Sequence, residues 1–229
     1  NVLATDIRKP EHPSGLFETL DILNAQLLKE LVEKYKVTTI YHLAAILSAS
    51  GEANPQRTWN INMNGFLSIL ELARESGLQK VFYPSTIAVF GKTTPRINTP
   101  QHTVMTPSTV YGISKAAGEL WCEYYHQRFG LDVRSVRYPG IISYQSMPGG
   151  GTTDYAVDIF HQAILHGKYT CFLEADTRLP MMYMDDSIRA TLELMRAPSE
   201  QIKIRTSYNL AAMSFTPAEL AASIKKHMP

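Results

Sequence analysis

Tyr111 and Lys115 stand four residues apart in Thr109-Val-Tyr-Gly-Ile-Ser-Lys115, the opening of a helical stretch that runs on through Trp121, Tyr124 and Phe129. On a helix, residues four apart lie one above the other, with Cβ atoms roughly 5–6 Å apart. A free tyrosine titrates near ~10, too high to accept a proton at neutral pH. An ammonium held ~5 Å away favours the phenolate; at an effective dielectric of ~20 this is worth about 3 kcal/mol, or roughly 2 pKa units. The pair is therefore expected to work as a general base near pH ~8. A Tyr four residues before a Lys is also common on solvated helices, so position must decide between the two readings. Upstream, Val81-Phe-Tyr-Pro-Ser85 reads as a strand that ends in the hydroxyls of Ser85 and Thr86; downstream, Val133-Arg-Ser-Val-Arg-Tyr138 reads as another. A hydroxyl at Thr86 would hold a substrate oxygen beside Tyr111, although Ser and Thr also simply cap strand ends.

Asp6 ends the first strand-like stretch, Val2 to Ile7. A carboxylate at such a strand end suits the ribose hydroxyls of a dinucleotide and repels a 2′-phosphate, which favours NAD over NADP. The phosphate-cradling glycine loop expected about twenty residues ahead of it is not in these residues. Gly149-Gly150-Gly151 does not replace it, because it does not join a first strand to its helix. A chain that opens inside a sheet is expected to have lost a segment before it. Asn62, in an apolar helix, reads as a packing residue or as the holder of a water for proton relay. His42, His126 and His161 lack metal-ligand spacing. Asp185-Asp186 precede an amphipathic run and read as a helix N-cap. Cys122 and Cys171 read as reduced core residues.

These side chains need a scaffold, and the chain supplies one. With 229 residues, 45% hydrophobic content and a net charge of +1, it can bury a core and carries no basic run suited to nucleic acid or a membrane surface. No apolar run approaches a membrane span. Asn24 to Tyr35 has helical periodicity, Thr38 to Leu43 is a β-branched run, and Asn54-Pro55 opens a helix that Gly77 stops. Strands alternating with helices predict an α/β fold, a Rossmann-like doubly wound parallel sheet. Residues 1–142 form the dinucleotide-binding domain on this reading. Residues 143–229 form a smaller substrate lobe, with some segments returning to the main sheet. Short strands are expected near Lys168 to Leu173 and Met181 to Met184, and Thr216-Pro-Ala-Glu219 is a capping box.

Taken in order, Thr5-Asp-Ile7, His42-Leu-Ala-Ala45, Asn62-x-x-Gly65, Ser85-Thr86 with Val89-Phe-Gly91, Tyr111-x-x-x-Lys115 and Arg137-Tyr-Pro139 resemble the extended short-chain dehydrogenases. Within that branch, Pro148-Gly-Gly-Gly-Thr-Thr-Asp-Tyr-Ala-Val-Asp-Ile-Phe160 and Arg137-Tyr-Pro-Gly-Ile141 resemble the short-chain family of L-threonine 3-dehydrogenases. The resemblance implies NAD as cofactor, no metal, and oxidation of the threonine β-hydroxyl to 2-amino-3-ketobutyrate. It implies Tyr111 as base, Lys115 on the nicotinamide ribose, Thr86 positioning the hydroxyl and Asn62 in the proton relay. Asp6, Ile7, Leu43, Ala44, Ala45, Tyr138, Pro139 and Ile141 would line the cofactor. Ser48, Thr152 and Thr153 would meet the amino acid. It further implies a homodimer, in the cytoplasm or in a mitochondrial matrix. The rival readings are an NAD-dependent nucleotide-sugar epimerase or dehydratase, which would usually carry Asn where Pro139-Gly140 stands, and a non-catalytic dinucleotide-binding protein.

Overall fold

The computed structural model describes residues 1–13, 15–145, 147–149 and 151–227. The chain opens on Leu3–Asp6 (β1) and Leu16–Thr19 (β2), a parallel pair in register from Leu3↔Leu16 to Asp6↔Thr19. The sequence reads as loop where β2 lies, because four residues are too few to show a period. Ala25–Tyr35 (α1) follows; Asn24 caps it by accepting from Leu27 N at 3.0 Å, and Leu28, Leu31 and Val32 are its buried residues. Thr39–Tyr41 (β3) leads to Ser48–Glu52 (α2), a short helix not expected from the sequence. The helix expected from Asn54 onward is Pro55–Trp59 (α3), a π turn over Asn60–Asn64 and Gly65–Glu75 (α4). Gly77, at φ 61°, lies just past its end.

Lys80–Thr86 (β4) passes through a 3₁₀ turn at Ile87–Val89 and a long loop to Val110–Phe129 (α5) and Val133–Tyr138 (β5). Gly140–Ile142 (β6), Tyr155–His166 (α6), Leu179–Tyr183 (β7), Met184–Arg196 (α7), Tyr208–Asn209 (β8), Met213–Phe215 (β9) and Pro217–His227 (α8) complete the order. β3, β4, β5 and β8 form a four-stranded parallel sheet, β1 and β2 form a sheet of their own, and β7 lies between parallel β6 and antiparallel β9. This is a Rossmann-like α/β fold. Alternation along β4 places Val81 and Tyr83 in a core with α1, α4 and α5, whereas Phe82 joins Val136, from β5, and Met195, from α7, in a second cluster. Both faces of the central strands are thus covered, as parallel strands require. A third cluster, around Tyr155, Ala156 and Met181, is the core of the segments after β6.

Several local expectations change. Residues 168–173 form no strand. Asp185 and Asp186 do not cap α7: Tyr183 is its N-cap, and the two carboxylates occupy the first turn, where Asp186 accepts from Arg189 at 2.8 Å. There they still face the positive end of the helix dipole. The capping box at α8 forms as read, with Glu219 Oε2 accepting from Thr216 N at 2.9 Å and Thr216 Oγ1 from Glu219 N at 3.2 Å. Of the glycine loop, Ser146 and Gly150 lie outside the described residues.

Candidate active site at the ends of β4 and β5

The first turn of α5 sits on the turn that follows Thr86. Gly112 makes this approach possible, since a Cβ there would lie 2.3 Å from Ala88 O. Thr109 Oγ1 caps the helix by accepting from Gly112 N at 3.0 Å, and Glu52 at the end of α2 accepts from Val110 N at 2.8 Å. Tyr111 and Thr86 are thereby brought within hydrogen-bonding contact. One turn further along α5, Lys115 Nζ donates to Pro84 O at 2.7 Å and lies 4.7 Å from the ring centre of Tyr83 and 5.7 Å from that of Tyr111. Thr86, Tyr111 and Lys115 therefore form one cluster. Tyr138 is Thr86's register partner on β5.

Burial reverses the electrostatic expectation. The Tyr111 phenol is pushed above its ordinary value by desolvation, with the Thr86 hydrogen bond pulling the other way. Lys115, 3% exposed, falls from 10.5 to about 8, again through burial, with Cys122 opposing. Removing both groups from water outweighs the attraction between them, and the ammonium is turned toward Pro84 O and the face of Tyr83. Burial thus disfavours the charged form of both groups in this arrangement. His42, next to the cofactor-loop candidates, is buried, stacks on Phe66 at 5.3 Å with 13° between planes, and is pushed down to about 3 by burial and then by Lys115.

Asn62 is fully engaged. In the π turn its Oδ1 accepts from Ile46 N at 2.8 Å, while Nδ2 donates to Ile46 O at 3.0 Å and to Ser114 Oγ at 3.2 Å. Ser114 Oγ in turn donates to Tyr111 O at 2.7 Å. The side-chain amide thus ties the segment after β3 to the Tyr111 turn of α5, and both of its donor hydrogens are used.

The other candidates fall into two groups. Leu43, Ala44 and Ala45 follow β3, with Leu43 70% exposed, and Ser48 opens α2. Pro139 is buried, Ile141 lies on β6, and Tyr138 shares a hydrogen bond with Thr191. Thr152 and Thr153 precede α6 in a turn, not within the helix. Thr153 packs on Gly140, where a Cβ would lie 2.5 Å from the Thr153 Cβ, so this turn is tied to the end of β5. Asp6 and Ile7 lie apart, at the end of β1 in the separate two-stranded sheet. There Asp6 Oδ1 accepts from Arg8 N at 2.9 Å beside a groove of about 700 Å³ lined by Thr5, Asp6, Arg8 and His12. Among the described residues, no group of three or more His, Cys, Asp or Glu is placed to hold a metal, and no helix is long and apolar enough to cross a membrane. The sequence reading gave no role to Glu119, Arg137 or Ser114, all buried, although Arg137 and Ser114 stand within the motifs it singled out. A signal existed for Glu119, which follows Lys115 at the same four-residue spacing.

A parallel sheet with a Thr and a Tyr/Lys pair at its carboxyl edge, and a carboxylate ending a separate parallel strand pair, fits a nicotinamide-dinucleotide oxidoreductase of the short-chain type. The chain belongs to the NAD dependent epimerase/dehydratase family, whose model matches residues 1–211. Within that family it is similar to L-threonine 3-dehydrogenase, mitochondrial, of Bos taurus, at 53% identity over 232 residues, all of this chain and 62% of that one. It is likewise similar to the structure of a GalE-like L-threonine dehydrogenase from Cupriavidus necator in its holo form, with a TM-score of 0.97 and 56% identity over 100% of this chain and 75% of that one. An uncharacterized epimerase/dehydratase of Staphylococcus haemolyticus is 50% identical over 233 residues, all of this chain and 73% of that one. The chain thus spans about three-fifths to three-quarters of the length of these relatives.

Proposed function

We propose that the protein oxidises the β-hydroxyl of L-threonine to 2-amino-3-ketobutyrate with NAD. The observation that carries this reading is the Thr86–Tyr111–Lys115 cluster at the carboxyl edge of β4, in a chain 56% identical over its whole length to a threonine dehydrogenase. The residues present fit the cofactor by their donor chemistry. Asp6 offers a carboxylate to one ribose, Lys115 an ammonium to the other, and Leu43 and Ala44, both exposed, with the half-buried Ala45 lie between β3 and α2. NAD, when bound, accepts the hydride from the substrate β-carbon.

The protein's own part is proton handling and positioning. Thr86 orients the substrate hydroxyl, and the Tyr111 oxygen takes its proton. Tyr111 takes that proton as the phenolate, and the Lys115 ammonium, 5.7 Å from its ring centre, favours that form, so the two titrate as a coupled pair. Asn62 acts through the backbone it clamps and not as a side-chain relay. Ser48, Thr152 and Thr153 flank the substrate. Pro139 and Gly140 argue against a nucleotide-sugar enzyme: Gly140 is closed in by Thr153 and Met181 and has no room for a side chain. Two copies pair through α3, α4 and α5, a reading supported by the exposure of Trp59, Leu120, Trp121, Tyr124 and Phe129. The compartment that fits is cytoplasm or mitochondrial matrix.

The test is the growth of NADH absorbance with NAD and L-threonine, against NADP and D-threonine. Growth with the first pair alone is expected. A protein that binds NAD yet reduces none with L-threonine would remove the substrate from this reading.

A further inference from the structure

Beneath the candidate site lies an ion pair that the reaction does not use. Glu119 is 0% and Arg137 4% exposed. Arg137 Nε donates to Glu119 Oε1 at 2.9 Å and Nη2 to Oε2 at 2.7 Å, and Ser85 Oγ donates to Oε1 at 2.5 Å. Arg137 Nη1 reaches further, to Gln101 O at 3.1 Å and Asn209 Oδ1 at 2.9 Å, while the guanidinium carbon sits 5.5 Å over Phe90. Each partner is the neighbour, on its own element, of a group in the site. Ser85 precedes Thr86, Arg137 precedes Tyr138, and Glu119 lies one helical turn beyond Lys115 and two beyond Tyr111. Ser85 and Arg137 are themselves register partners on β4 and β5.

We infer that Glu119 and Arg137 are positioning residues for proton transfer: their bidentate pair, with Ser85, fixes α5 against β4 and β5 and so sets where Thr86 stands relative to Tyr111. This rests on the function proposed above. Two physical points favour positioning over stability alone. Buried pairs are weak stabilisers, since the cost of desolvation offsets most of the attraction, whereas a fork of two parallel N–H···O bonds is directional. Displacement of a reacting group by about 1 Å costs on the order of 100-fold in rate.

The same strand carries its own control. Arg134 makes a comparable pair with Asp132, at 2.9 and 2.6 Å, at the opposite end of β5 from Tyr138; it donates on to Leu194 O and Ala197 O at the end of α7, and Asp132 also accepts from Arg205 at 2.6 Å. Residues three apart on a strand face opposite sides of the sheet, so this pair buries an arginine without touching the Thr86–Tyr111 contact.

The experiment compares Glu119→Gln, Ser85→Ala and Asp132→Asn by steady-state kinetics and by hydrogen exchange. In Glu119→Gln, kcat with L-threonine should fall roughly 10–100-fold while the KM for L-threonine stays within about threefold. Amide exchange in segments 84–90 and 109–116 should speed up by at least about tenfold, with α4 unchanged. Ser85→Ala removes one leg of the network and no charge, and it should give the same pattern at smaller size; it decides the matter if Glu119→Gln does not fold. Asp132→Asn should lower Tm and leave kcat per folded molecule alone. Equal kcat losses in Asp132→Asn and Glu119→Gln, or exchange that rises uniformly along the chain, would overturn the inference. If wild type gives no NADH from L-threonine, the substrate reading fails while the exchange pattern still decides the positioning role.

Discussion

Tyr111 and Lys115 show how far a residue-level argument reaches. Their spacing along one helix face was legible because helical geometry is local, and so was the hydroxyl at Thr86. The direction of their titration was not, because burial depends on residues distant along the chain, such as Tyr83 and Pro84. Tyr111→Phe keeps the ring's packing and removes the base, so turnover should drop roughly 10²–10⁴-fold with little change in Tm. Near-wild-type turnover would take the base away from Tyr111. Lys115 makes a prediction of opposite sign for stability. Its folded pKa, about 8, lies below the 10.5 of the free group, so the unfolded chain holds the proton more tightly. The resulting penalty, on the order of 3 kcal/mol, is complete below about pH 8 and vanishes as pH rises past ~10.4. Lys115→Met should therefore abolish turnover yet raise Tm at pH 7, and the gain should be gone at pH 10.5. Melting curves at the two pH values check it.

At the scale of elements, what could be read was what each element specifies by itself. The cap at Thr216 carries its signal within four residues and is hydrogen-bonded as expected, and Asn24, read only as the start of a helical period, caps α1. β2 and α2, of four and five residues, are set by their neighbours and leave no periodic trace. The π turn at Asn60–Asn64 was illegible for a related reason: the helix gives up its regular bonding there so that Asn62 can face Ile46 and Ser114 across the interior. Such turns collect at functional sites because they re-aim a side chain at a local cost. Asn62→Ala would leave a buried clamp unmade, with an expected loss of about 1–3 kcal/mol in unfolding free energy. Because residues 43–45 adjoin the clamped segment, NAD binding should weaken more than kcat falls. Denaturant unfolding with an NAD titration separates the two effects, and a kcat loss without weaker binding would restore Asn62 to the proton path.

For the whole molecule, the alternation of strands and helices revealed the doubly wound sheet, since the crossovers from β3 to β4 and from β4 to β5 each carry a helix. The charges buried beneath that sheet escaped notice: Glu119, Arg134 and Arg137 look like surface residues until three elements close over them. His42 belongs with them. Its folded pKa of about 3 lies below the ordinary 6.5, so the unfolded chain takes up a proton that the folded one refuses. Stability should be full above about pH 6.5 and fall as pH drops toward 3, by about 3 kcal/mol over the first 2 units. Urea midpoints at pH 7 and 4.5 should draw together in His42→Phe by comparison with wild type, and an unchanged gap would move the acid sensitivity elsewhere. The exposed side of α3 and α5 has a spectroscopic consequence. Both of the chain's tryptophans, Trp59 and Trp121, sit there at 39% and 37% exposure, and none lies in the core. Intrinsic fluorescence should therefore report association before it reports unfolding: as concentration rises, emission should shift to the blue and iodide should quench it less, at unchanged circular dichroism. If light scattering shows a dimer while the emission stays where it was, the two copies meet on another face.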